Sequence, residues 1–331
     1  MRLRGWKSTR QTARWAKSRL TPRGVILGYH RVAEEPSDPF SLCVSPKNFA
    51  QQLDAIRRYG HPVGLGELVE AISNHAPLNR SIVVTFDDGY ADFLTSARPL
   101  IEQAGVPATV FVITGLLGKQ FWWDALWRIL QTPDRLPERL DLPIDDGIFE
   151  WASFNARPDA VSRRDLLFVL QARLLPLPDE QRREALAALS EWAGVETETS
   201  AILRALGPEE VIELARDGRI EVGAHSCTHA SLPALPVDRQ RAEIQGSKTD
   251  LERLLGRSVV SFSYPHGRWS PQTAAIVRGS GYACACAAGN DVVRQGSDCF
   301  QLPRFWVPNW DGRRFSRWLA KWLGRRHGGG S

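Results

Sequence analysis

Short apolar runs alternate with amphipathic stretches along most of this chain. "GVILGYH" (24–30), "SIVVTFDD" (81–88), "PATVFVIT" (107–114), "IEVGAH" (220–225), "VVSFSYP" (259–265) and "YACACA" (282–287) each read as a strand buried on both faces. Helical spacing fills the intervals in "SPKNFAQQLDAIRRYG" (45–60), "LTSARPLIEQAG" (94–105), "PVDRQRAEIQGSKTDLERLLG" (236–256) and "SPQTAAIVRGSG" (270–281). The first of these is well punctuated, with Ser45 as N-cap, Pro46 at the first helical position and Gly60 at the close. Strands separated by helices imply right-handed crossovers and a parallel sheet covered on both faces. With about seven strands, a closed or nearly closed barrel is expected rather than an open sheet.

One interval breaks the alternation. Roughly a hundred residues separate "FVIT" from "IEVGAH", far more than a crossover needs. "GKQFWWDALWRIL", "SRRDLLFVLQARLL" and "DEQRREALAALSEWAG" carry apolar residues at helical spacing, interrupted by Pro176 and Pro178. The expectation is a helical subdomain inserted over about residues 117–207. It sits within a barrel of residues 21–310, flanked by a basic segment (1–20) and a basic tail (311–331).

The hydrophobic content of 43% and charged content of 24% fit a soluble globular protein and argue against a disordered or membrane-embedded chain. The basic excess collects at the ends, where Lys and Arg mix with Trp and few acids; such ends are more commonly solvated helix faces, an anionic membrane surface is the second reading, and no nucleic-acid partner is expected. Neither a signal-peptide pattern nor a bilayer-length apolar run is visible, so the expected compartment is the cytoplasm, with membrane association as an addition. Five cysteines without a CxxC pair agree with a reducing environment.

In α/β barrels the reacting groups gather where strands end. Four ends carry suitable side chains: His30, the doublet Asp87–Asp88, His225 in "HSCTH", and the "YPHG" turn of Tyr264 to Gly267. The i, i+4 pair His225 and His229 can converge on one ion, and one carboxylate of the doublet completes a three-ligand set with room for water. The other carboxylate is left to take a proton. Each feature has a plainer reading: an aspartate doublet before glycine is an ordinary turn, a lone His30 on an apolar strand is a core residue, and Cys227 packs inward.

"TFDDGY" and "HSCTH", in that order, resemble the first two motifs of the polysaccharide deacetylases, also called NodB-homology or carbohydrate esterase family 4 proteins. The resemblance implies an irregular (β/α)7 barrel and metal-dependent removal of acetyl groups from sugars. It implies Asp87 as base and Asp88, His225 and His229 as metal ligands. Zn2+ is the expected ion, with Co2+, Ni2+ and Mn2+ as alternatives. "SYPHG" is similar to the third motif, whose backbone N–H at the His266 position helps to hold the oxyanion. Here Ser263 stands where the family usually has arginine, and His266 where it has tyrosine; Arg304 in "QLPRFWV" is the candidate replacement beside Asp87. "LGYHRV" resembles a rearranged subset with an N-terminal YH stretch, which makes His30 the general acid. Tyr264, Pro265, His266, Trp123 and Arg304 are the candidate substrate contacts, with Trp122 and Trp269 as further stacking surfaces.

The expected function is hydrolysis of an N-acetyl group on a sugar of a polysaccharide or glycan precursor. One alternative is a metal-dependent amidohydrolase acting on a small amide or formamide. The other is a non-catalytic carbohydrate- or membrane-binding relative.

Overall fold

Seven strands pair in parallel and close on themselves: β1 (Arg23–Tyr29), β2 (Ser81–Phe86), β3 (Ala108–Val112), β4 (Ile220–Ala224), β5 (Ser261–Ser263), β6 (Cys284–Ala288) and β7 (Leu302–Trp306). The order around the barrel is β1-β7-β6-β5-β4-β3-β2, and β2 returns to β1 through five register pairs from Val25↔Ile82 to Tyr29↔Phe86. The computed structural model describes residues 23–144, 147–152, 160–195, 203–216 and 218–324. The expected basic segment 1–20 lies outside the described residues. β7 was not among the runs read as strands, because Pro303 and Arg304 interrupt its apolar character.

Strand period assigns the two faces. Val25, Leu27, Tyr29, Ile82, Val84 and Phe86 point outward and join the core under the surrounding helices. The alternate set, including Ile26, Val83, Phe111, Cys284, Cys286 and Leu302, packs together inside. Large and small residues alternate across this lumen, as a narrow barrel requires. A Cβ on Gly28 would lie 2.7 Å from the Trp306 ring, and one on Gly223 would lie 2.5 Å from Phe111. Continued past the strand ends, the inward parity falls on His30, Asp87 and His225; on β7 it falls on Arg304 and Trp306.

The interval between β3 and β4 contains helices Trp122–Gln131, Ala160–Leu174 and Asp179–Ala193. Their core of Leu126, Ile129, Leu167, Leu170 and Leu189 also takes in Tyr90 and Ile113 from the barrel. The insertion is not purely helical: Arg139–Ile144 and Gly147–Ala152 form an antiparallel hairpin. Leu140, Leu142 and Ile144 are buried while Arg139 and Asp141 are exposed, a period-2 pattern that helical expectation overlooked.

Residues 311–324 likewise depart from the expected tail, whose remainder, 325–331, lies outside the described residues. Gly312–Trp322 is a helix, capped by the Asp311 side chain, with Phe315, Leu319 and Ala320 buried. Its Trp318 and Trp322 rings lie 5.0 and 4.7 Å from Phe305 of β7, so this segment is part of the barrel wall. Among the described residues, no helix is long and apolar enough to cross a membrane.

Candidate metal centre

At the C-terminal rim of the barrel, one ligand atom from each of Asp88, His225 and His229 lies within 4.8 Å of the others. Asp88 Oδ1 is 3.5 Å from His225 Nε2 and 3.4 Å from His229 Nε2. The His225 Nδ1–H donates to the Ser263 carbonyl at 2.8 Å, which fixes the tautomer and leaves Nε2 as an acceptor facing Asp88. Asp88 Oδ1 is buried and has no hydrogen-bond donor. Acceptors converging without a donor between them are stable only around a proton or a cation. The set therefore fits a divalent ion with open positions.

Asp87 is built differently. Arg304 Nη1 and Nη2 donate to its two carboxylate oxygens, each at 2.7 Å, and the Ser263 hydroxyl donates to Oδ2 at 3.1 Å. Arg304 also donates to Ser263 Oγ and to Thr85 Oγ1, so the guanidinium is anchored to β2 and β5 from β7. Burial pushes the Asp87 carboxyl up, but the charge and hydrogen bonds of Arg304, with His225, outweigh it and hold the group well below the usual carboxylate range. Its neighbour behaves in the opposite way: burial, then the charge of Asp87, raise the Asp88 carboxyl well above that range. Burial lowers His225 and His229, leaving both imidazoles neutral as ligation demands.

The backbone around these groups is strained. Asp88 (φ 70°), Ser226 (63°), His229 (61°) and His266 (57°) all occupy the left-handed region without being glycine. Each such residue costs about 1–3 kcal/mol and persists only when its surroundings over-determine it.

His30 follows β1 with its ring stacked on Trp306, centroids 4.6 Å apart. Burial lowers it to about 4, against the opposing charge of Asp87, so the resting imidazole is neutral. A cavity of about 130 Å3 joins His30, the doublet, both ligand histidines and His266 with Trp122, Trp123, Gln171 and Trp306. It shares His30, Phe40, Leu42, His266 and Trp306 with a groove of about 1000 Å3 running along the 33–45 loop and residues 306–309.

Of the candidate substrate contacts, Trp123 and His266 line the cavity, with ring centroids 5.1 and 4.4 Å from that of His229. The Trp123 indole donates to the Tyr90 hydroxyl, which donates to Asp124. Three others are corrected as contacts. Tyr264 is fully buried with its hydroxyl donated to the Phe300 carbonyl, Pro265 is buried, and Arg304 is enclosed behind Asp87. Trp269 packs against the main core instead. Sequence reasoning missed Trp306, Phe40, Leu42 and Gln171; only Trp306 carried a signal, sharing the inward parity of Arg304.

The fold and site together define an α/β barrel of parallel strands whose rim gathers an acidic doublet and two histidines that could hold a metal ion. A family model described as polysaccharide deacetylase matches residues 74–139 and 172–285, more than half of the chain. The chain belongs to that family, whose members are hydrolases acting on carbon–nitrogen bonds other than peptide bonds. Over 86 residues it is 31% identical to the poly-β-1,6-N-acetyl-D-glucosamine N-deacetylase of Escherichia coli K12; the match covers 25% of this chain but 13% of that relative's length. Two solved structures share the fold: Streptococcus pyogenes deacetylase PplD in complex with acetate and IcaB from Ammonifex degensii. Both have TM-scores of 0.58, at 19% and 20% identity, covering 90% of this chain and 98% and 97% of theirs.

Proposed function

We propose that this protein removes N-acetyl groups from a sugar of a polysaccharide or glycan precursor, with a divalent ion held by Asp88, His225 and His229. The observation that carries the reading is the contrast within the doublet: Asp87 is clamped as an anion by Arg304, while Asp88 is buried with a free oxygen facing two neutral imidazoles. Zn2+ suits this mixed nitrogen and oxygen set, and when bound it supplies Lewis acidity toward a carbonyl and toward water.

The residues of the chain divide the remaining work. Asp87 accepts the proton of the attacking water; Arg304 and Ser263 fix where its oxygens point. The backbone N–H of His266 holds the oxyanion that develops as the carbonyl carbon becomes tetrahedral. His30 protonates the departing nitrogen as the C–N bond breaks, so the products are acetate and an amine. Since burial keeps His30 neutral at rest, it takes from solvent the proton that it passes to nitrogen once negative charge builds up beside it, and Asp87 returns the proton of the attacking water to solvent after the products leave. Trp306, stacked on its ring, sets its direction.

The groove that opens from the cavity supports an extended acetylated chain over a small amide, and the name of the Escherichia coli relative supports N-acetylglucosamine as its unit. Peripheral attachment to an anionic surface draws support from exposed Arg313, Arg314, Arg317 and Lys321 on the terminal helix, whose apolar face is already used by the barrel.

Incubation of zinc-loaded protein with β-1,6-linked N-acetylglucosamine oligomers should release acetate and not formate. Asp87→Asn should abolish release while metal content stays at the wild-type level; wild-type turnover in that variant sinks the assignment. The substitution also strands the buried charge of Arg304, at a cost of about 3–5 kcal/mol. The double variant Asp87→Asn/Arg304→Met should recover stability without recovering activity.

A further inference from the structure

The loop that carries both ligand histidines is short, and it is bent in a way its residues do not favour. Ser226 and His229 both take positive φ, at 63° and 61°, with only Cys227 and Thr228 between them. Side chains without glycine's freedom hold such a bend only if neighbouring groups impose it.

The neighbour that does so is a carboxylate from outside the reaction site. Glu243, in the middle of helix Val237–Leu255, is 7% exposed, where a mid-helix glutamate ordinarily faces water. Its Oε2 accepts the backbone N–H groups of Cys227 at 3.0 Å and Thr228 at 2.9 Å, and its Oε1 accepts the Thr228 hydroxyl at 2.8 Å. Three residues further along the helix, Gly246 leaves room for the Cys227 sulfur, since a Cβ there would lie 2.9 Å from it. On the opposite side the Ser226 and Cys227 carbonyls accept from the N–H groups of Thr114 and Gly115 after β3. The loop is thus held between a strand end and a helix, and Glu243 is the side chain that saturates its inner donors.

We propose that Glu243 is a positioning residue for the metal centre. Through Cys227 and Thr228 it holds the loop in the bend that aims His225 and His229 at Asp88. Its carboxylate is not one of the converging ligand atoms, so it acts through the loop and not on the ion. This inference rests on the metal-binding reading above.

The test measures Zn2+ affinity by competition with a chromophoric chelator, alongside the visible spectrum of the Co2+-loaded protein. Glu243→Ala should weaken Zn2+ binding by about 10–100-fold and change the Co2+ bands. Glu243→Gln, which keeps the size and one acceptor, should lose less. Wild-type affinity and an unchanged Co2+ spectrum in the folded fraction of both variants would overturn the proposal, leaving Glu243 a purely structural bond. If Glu243→Ala yields no soluble protein, Thr228→Val decides: it removes one of the three bonds, and an unchanged affinity again overturns the idea. Failure of the wild-type protein itself to bind Zn2+ or Co2+ would instead remove the metal-binding reading.

Discussion

Two adjacent aspartates with opposite protonation behaviour stand at the centre of the candidate site. Asp88 takes φ 70°, a conformation asparagine tolerates better than most residues, and its buried Oδ1 has no hydrogen-bond donor. Unfolded, its carboxyl ionises near 4; folded, burial and Asp87 keep the proton on to higher pH. The sign follows: its contribution to stability is fully present below about pH 4 and is lost as pH rises through the raised folded value. Asp88→Asn removes that loss. Denaturation of chelator-treated protein should show the variant more stable than wild type by about 1–3 kcal/mol at about pH 8, with a smaller gain at about pH 5, although the variant no longer retains Zn2+. A variant less stable than wild type at the higher pH would contradict this account of the site. The doublet and "HSCTH" were legible in the sequence because their chemistry is crowded into a few consecutive positions. The Arg304 clamp was legible only as a candidate, since it lies 217 residues from Asp87 and packing alone brings them together.

Among the elements, most strands and the helix Pro46–Tyr59 appear where apolar period and capping residues place them; the Ser45 hydroxyl accepts from the Asn48 N–H as an N-cap should. The departures come from short or mixed elements whose local pattern is weak. β7 contains a proline and a buried arginine, and the insertion hairpin, at Arg139–Ile144 and Gly147–Ala152, stands between long helical patterns. Charge disguised helix Gly312–Trp322: its arginines and lysine suggest a solvated tail, while every third or fourth residue is apolar and turned inward. Leu319 has no exposed surface, so Leu319→Ala should destabilise the protein by about 2–5 kcal/mol, read as a lower urea midpoint. A change under about 0.5 kcal/mol would mean that this helix behaves as an appendage after all.

At the scale of the whole barrel, an apolar lumen of Ile26, Val83, Phe111 and Cys286 separates the candidate site at the C-terminal rim from a second, part-buried polar group at the other end, where Ser261 and Thr109 donate to Glu221. The inward face was legible from strand period once seven strands were assumed, but not the way the barrel closes. β1 lies between β2 and β7, so the first strand is flanked by one partner close in sequence and another nearly three hundred residues away. Asp87 gains its counter-charge from that late strand, and His30 gains its stacking partner from the same place. During synthesis on the ribosome, then, the two aspartates emerge long before the group that tells them apart. A chain ending at residue 300 should remain open to protease within β1 and should not retain zinc, whereas one extended past helix Gly312–Trp322 should gain protection and zinc retention together. Equal protection in the two would show that closure is not needed. The seam makes the last barrel strand to leave the ribosome the one that brings Asp87 its counter-charge, so a polypeptide cut short before it carries the doublet without its clamp.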